Sequence, residues 1–145
     1  MDRRRLGRTD IEVSPLGLGG LFVSRVGGRG RDEARAAIHR ALDLGINLID
    51  TAARYGTEEI VGEAIAAVPR DSFVMSTKAR AHEEGAEDPL PPAALIDGLE
   101  ESLRRLGTDY IDVFHVHGVL PQHYEHVRET MVPALLAEKD KGKFG

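Results

Sequence analysis

The chain has 145 residues, 41% of them apolar, a net charge of −5 and no cysteine. That suits one ordinary domain with a real core; it argues against a general nucleic-acid binder, which carries a basic footprint, and it excludes disulfide and thiolate chemistry. No apolar run nears the roughly 20 residues that span a bilayer, and the charged start Met1-Asp2-Arg3-Arg4-Arg5 lacks the apolar stretch of a secretory signal, so a cytoplasmic protein is expected.

Arg4-Arg5-Leu6 and Ile11-Glu12-Val13 flank the turn-type cluster Gly7-Arg8-Thr9-Asp10 and predict a hairpin over residues 3–13. Its arginines read as a solvated cap. Leu16-Gly17-Leu18-Gly19 predicts a short first core strand. Residues 22–31, rich in glycine and arginine, predict a loop carrying Arg25, Arg29 and Arg31. Asp32 is placed to cap a helix to about Leu44, with Ile38, Ala41 and Leu42 on one face and Gly45 as the stop. A second strand is expected over 46–51 and a helix over 58–68, whose first turn places Glu58 and Glu59 at the positive end of its dipole. A third strand follows over 73–78, then a polar loop over 80–91. Pro92 opens a helix with Leu95, Leu99, Leu103 and Leu106 as its buried stripe and Gly107 as its end. A fourth strand spans 110–117. The last helix spans about 124–141, with Val127, Met131 and Leu135 inward and a kink at Pro133. Lys143-Phe144-Gly145 has the character of an approach to a fifth strand. His82, His123 and His126 lie in polar surroundings and are expected to be solvated.

Strand–helix alternation means a parallel sheet with right-handed crossovers. Two architectures satisfy it, an open doubly wound sheet and a (β/α)8 TIM barrel. Gly17-Leu18-Gly19-Gly20-Leu21-Phe22 lacks the third glycine of G-x-G-x-x-G, and no helix is expected to follow at once, which weighs against the dinucleotide-binding sheet. A full barrel takes about 250 residues. The expectation is therefore a (β/α)8-type chain with only its first four βα units present: residues 1–14 as a capping hairpin and 15–145 as the four units.

Side chains two apart on a strand share a face. Asp50 lies with Leu48, Lys78 with Val74 and Ser76, and His117 with Ile111, Val113 and His115. Asp50, Lys78 and His117 each close a strand on that face, and Tyr55 falls in the loop just beyond. In a barrel these ends meet at the active-site mouth. A tyrosine, with a pKa near 10, is a poor acid at neutral pH, but a lysine cation beside it stabilises the phenolate. An aspartate can orient the lysine, and a neutral histidine can position a carbonyl oxygen. Together they would protonate an oxygen that gains charge as hydride reaches its carbon. With no thiol, metal cluster or flavin-type motif in the chain, the hydride is expected from a bound nicotinamide. His115-Val116-His117 also suits a metal pair, yet no further ligand set is visible, so no metal is expected.

Asp-Thr-Ala-x-x-Tyr-Gly at 50–56, followed by Glu59-Ile60-Val61-Gly62-Glu63-Ala64, resembles the aldo/keto reductase superfamily. So do Ser76-Thr77-Lys78 and the run Leu103-x-x-Leu106-Gly107-Thr108-Asp109-Tyr110-Ile111-Asp112 leading to His117. The opening Leu6-Gly7-Arg8-Thr9 through Leu16-Gly17-Leu18-Gly19-Gly20 and the closing Lys141-Gly142-Lys143-Phe144-Gly145 are similar too. The resemblance implies a (β/α)8 barrel whose hairpin closes the bottom, and NADP(H)-dependent reduction of a small-molecule aldehyde or ketone, with no nucleic-acid or membrane partner. It implies Tyr55 as proton donor, Lys78 as its pKa-lowering partner, Asp50 as the residue pairing with Lys78, and His117 as the substrate-orienting group. It also implies contact of the nicotinamide ribose side with Asp50 and the backbone around Gly20 and Leu21. Most other cofactor contacts in that family come from later strands. Two departures bear on substrate: Gly118 follows His117 where the family has a bulky residue, and His115 stands at a typically apolar position. The alternative reading is a catalytically inactive half-barrel that self-associates through open sheet edges or pairs with a complementary half.

Overall fold

The expected hairpin is present in the computed structural model, which describes residues 1–25 and 30–145, with backbone alone at 24 and 25. Strands β1 (Arg4–Arg5) and β2 (Glu12–Val13) pair antiparallel, Arg4 opposite Val13. Asn47 ties the hairpin to the main sheet: its Oδ1 accepts from Ser14 N at 2.6 Å and its Nδ2 donates to Glu12 O at 2.9 Å.

Strands β3 (Gly17–Gly19), β4 (Leu48–Asp50), β5 (Val74–Arg80) and β6 (Val113–His117) form one parallel sheet in sequential order. A doubly wound sheet reverses its strand order at a switch point; this one does not. The registers set Gly19 beside Asp50, Asp50 beside Ser76, Lys78 beside His115, and Arg80 beside His117. Past β6 the direction continues. Ile111 N donates to Lys143 O at 3.1 Å and Gly145 N to Ile111 O at 3.0 Å, a parallel bridge of Ile111 with Phe144. That is the expected approach of a fifth strand.

The alternation of strand side chains separates two environments. One face turns Ile49, Met75, Thr77 and Ala79, all buried, towards the helices. There Ile49, Met75 and Ala79 join one apolar core with Ile38 of α2 (Arg31–Asp43), Val61 and Ala64 of α3 (Glu58–Ile65), and the leucines of α4 (Pro92–Leu106). Helix α4 forms as its sequence directs. Pro92 sits where a missing N–H costs nothing, and Gly107 takes the left-handed conformation, φ 65°, that ends the helix. The other face carries Asp50, Ser76, Lys78, His115 and His117.

Several expectations are corrected. Residues 20–25 form a short helix, α1 (Gly20–Arg25), directly after β3, because Val23 finds a buried place against the core. The expected loop over 22–31 is thus helical at its start. Residues 26–29, with Arg29, and the side chain of Arg25 lie outside the described residues. Arg31 opens α2 and pairs with Glu63. Gly30, not Asp32, holds the N-cap place of α2, and Asp32 pairs with Arg35 in the first turn. Strand β6 begins at Val113 rather than Tyr110. The reason is that the Asp112 carboxylate itself accepts from Met75 N at 2.7 Å and from Arg70 at 2.6 Å, replacing a ladder bond. The final helical run consists of α5 (Tyr124–His126), a π turn (Val127–Met131) and α6 (Val132–Asp140). The wide turn falls just before Pro133, whose missing N–H would have ended an α-helical bond there. His123 is buried, and with His126 it bonds the carbonyls of Glu87 and Leu90, at 2.6 and 3.2 Å. Two histidines expected in solvent therefore hold the loop after β5.

Helix α3 lies hard against the end of α4. A Cβ on Gly62 would stand 2.7 Å from the carbonyl oxygens of Arg105 and Leu106. Backbone atoms cannot swing aside. Alanine is the better helix former by about 1 kcal/mol, yet overpacking costs about 1–3 kcal/mol. Gly62→Ala is therefore expected to lower stability by about 1 kcal/mol in urea denaturation; a gain would show that the helices part freely.

Candidate active site

Ile49 is drawn into the core, so its neighbour Asp50 must face the opposite side, at the end of β4. Lys78 reaches it from β5. Its Nζ donates to both Asp50 oxygens, at 2.7 and 2.6 Å, and to the Thr51 carbonyl at 2.7 Å. All three ammonium protons are thereby used, and the lysine side chain is only 15% exposed. Ser76, two residues earlier on the same face, donates its hydroxyl to Asp50 Oδ1 at 2.7 Å and lies 3.2 Å from His115 Nε2. Sequence reasoning passed over Ser76 as a site residue, although its alternation with Lys78 was the available signal.

Tyr55 closes a 3-10 turn, Ala53–Tyr55, that Gly56 ends in the left-handed region at φ 66°. The turn is braced from beneath. The Thr51 and Thr57 hydroxyls meet at 2.8 Å across its base. Glu58, almost wholly buried, accepts from Thr77 Oγ1 at 2.6 Å and from Arg105 at 3.3 Å. This support places the Tyr55 ring centroid 5.3 Å from Lys78 Nζ and 5.9 Å from the His117 ring, nearly edge-on at 87°.

All four expected residues therefore converge, with one correction. Strand β5 runs two residues beyond Lys78, to Arg80. Lys78 is level with His115, and Arg80 is level with His117. The lysine thus lies one layer below the rim. Burial first, then the charges of Lys78, Arg54 and Arg80, hold the His117 imidazole below its ordinary range, so it is neutral at pH 7. Burial and Lys78 act on His115 in the same direction.

Gly20 lies where β3 passes into α1, and its backbone is pressed onto β4. A Cβ there would meet Thr51 Oγ1 at 2.7 Å and the Asp50 carbonyl at 3.2 Å. Leu21 follows it in the first turn of α1. The strand ends flanking Asp50 thus carry bare backbone on the β3 side. A cavity of about 890 Å³ is lined by Ile65, Phe73, Leu103 and Lys143 among others and touches none of these residues. A smaller recess of about 110 Å³ opens beside His117.

The family model of the aldo/keto reductase family matches residues 15–144, and the chain belongs to that family. L-galactose dehydrogenase of Arabidopsis thaliana is 32% identical over 149 aligned residues, covering 99% of this chain and 46% of that protein. The 6-dehydroglucose reductase of Novosphingobium aromaticivorans is 36% identical, covering 86% of this chain and 45% of that one. Among solved structures, the holo form of aldo-keto reductase AKR11C1 from Bacillus halodurans superposes with a TM-score of 0.83 at 32% identity, covering 99% of this chain and 48% of that one. The chain spans about half the length of these relatives, and its four βα units correspond to about half of a (β/α)8 barrel.

Proposed function

We propose that the protein acts as an NADPH-dependent oxidoreductase that reduces aldehyde or ketone carbonyls to alcohols, with Tyr55 as proton donor. The observation that carries this reading is the packing of Tyr55 between a lysine already paired with a carboxylate and a neutral imidazole. The residues at hand suit one end of a nicotinamide cofactor. Gly20 leaves the β3 exit without a side chain, and the Asp50 carboxylate, though bound by Lys78, is still 39% exposed. NADP(H) in preference to NAD(H) follows the family resemblance.

Reduced nicotinamide, when bound, supplies the hydride to the carbonyl carbon. As charge grows on the carbonyl oxygen, Tyr55 gives that oxygen its proton. The Lys78 ammonium, 5.3 Å from the Tyr55 ring centroid, is the cation that would stabilise the negative charge left on the ring oxygen, and Asp50 and the Thr51 carbonyl hold it in place. Neutral His117 orients the carbonyl without competing as a stronger acid.

A titration of this chain, Met1 to Gly145, with NADPH tests the reading through nicotinamide fluorescence. Saturable binding in roughly the micromolar range, within the span of ordinary enzyme substrates, is the expected result. Absence of binding would refute a cofactor site within these residues. It would favour the second reading, association through the sheet edges: β3 has no neighbour on its outer side among the described residues.

A further inference from the structure

Beside His117 lies a recess of about 110 Å³, lined by Arg54, Arg80, His82, Glu84, Gly85, His117 and Gly118. Neither Tyr55 nor Lys78 lines it, and the chemistry proposed above makes no use of it. Its volume exceeds the roughly 10–15 Å³ that holds one water and is enough for a carboxylate. Gly85 and Gly118 both have positive φ, at 78° and 70°, so its rim is left without side chains at two points.

Two guanidinium groups enter this space from different elements. Arg54 comes from the turn that presents Tyr55. Arg80 is the last residue of β5 and the register partner of His117, one strand spacing of about 4.8 Å away. Glu84 bridges them: it accepts from Arg54 at 2.7 Å and from Arg80 at 3.3 Å, one oxygen to each. The structure thus shows a carboxylate fitting between the two arginines. Glu84 is two-thirds exposed and sits on a loop before Gly85, so it is free to leave. Glu83, at 3.9 Å from Arg80, is equally exposed. Once Glu84 leaves, the two guanidinium groups keep Glu83 alone as a carboxylate neighbour, and the positive charge left over suits a monoanion.

Resting on the reductase reading above, we infer that Arg54 and Arg80 bind the carboxylate of an oxo-acid substrate, and that Glu84 occupies the carboxylate position until the substrate displaces it. The reacting carbonyl then lies on the Tyr55 side of His117 and the carboxylate on the Arg80 side, so the compound is short.

The test is a titration of the isotopically labelled chain with pyruvate, without cofactor, at constant ionic strength. It follows the Arg54 and Arg80 Nε–H signals and the His117 ring, with pyruvamide as the neutral isostere. Saturable shifts with pyruvate and none with pyruvamide are expected. Arg54→Gln or Arg80→Gln should weaken binding about tenfold or more, the loss of one charge-assisted hydrogen bond. Glu84→Gln should tighten it by removing the internal competitor, a gain that no misfolded variant would show. Equal shifts with pyruvamide, unchanged affinity in both arginine variants, or inorganic phosphate binding as tightly as pyruvate would each overturn the assignment. Because no hydride is transferred in this measurement, a chain that binds pyruvate in this way but never oxidises NADPH leaves the carboxylate site standing and refutes the reductase reading alone.

Discussion

If the proposed reductase reading holds, replacing Tyr55 by Phe in a completed barrel is expected to lower kcat by about 10²- to 10⁴-fold, the usual worth of a positioned proton donor, while NADPH affinity is kept. The substitution removes one oxygen and little else. The ring still packs edge-on against His117 and beneath the reach of Lys78, and the turn that carries it is held by Thr51, Thr57 and Glu58, none of which bonds the phenol. A fall in kcat with KM unchanged would mark a group used in the transition state and not in substrate binding. Turnover equal to that of the parent would show that the proton comes from elsewhere, with His117 the nearest alternative.

Replacing Lys78 by Met is expected to lower stability and, in a completed barrel that acts as proposed, turnover as well. Methionine keeps the length of the side chain but removes the ammonium that donates to both oxygens of Asp50 and to the Thr51 carbonyl. Asp50 is then left with the Ser76 hydroxyl alone. Removing one partner of a fully buried pair costs about 3–5 kcal/mol. Asp50 is partly open to water, so the cost here is nearer about 2 kcal/mol, read as a Tm lower by about 6 °C for a chain of this length. Adding Asp50→Asn should restore part of that stability, because the lone charge is gone, and none of the turnover. A single Lys78→Met variant as stable as the parent would show that the pair contributes nothing to the fold.

What could be read in the sequence was what local rules govern. Helix α4 was visible in full, since Pro92, the leucine stripe and Gly107 act within a few residues of one another. The shared face of Asp50, Lys78 and His117 followed from strand alternation, and their order along the sheet from the βα pattern. What escaped was long-range. Glu58 looked like a dipole partner in a helix's first turn; it is buried because Thr77, 19 positions on, and Arg105, 47 positions on, come to meet it. His123 looked solvated because its neighbours in sequence are polar, whereas its neighbours in space are the Glu87 carbonyl and the His82 ring. The late start of β6 depends on an Asp112 side chain imitating a backbone acceptor, which no periodicity reveals. The bridging of Arg54 and Arg80 by Glu84 joins two loops that alternation says nothing about.

The sheet sends Ile49, Met75 and Ala79 to the helices and its reactive side chains to the opposite side. Apart from the Asp50–Lys78 pair, then, the residues that decide which molecule reacts are not those that decide whether the chain folds. His115, His117 and the loop around Glu84 form a surface open to variation, where changes of residue can alter chemistry without passing through an unfolded intermediate genotype. A lineage built on this sheet can explore new substrates one substitution at a time, and a laboratory library confined to those positions should yield mostly folded members.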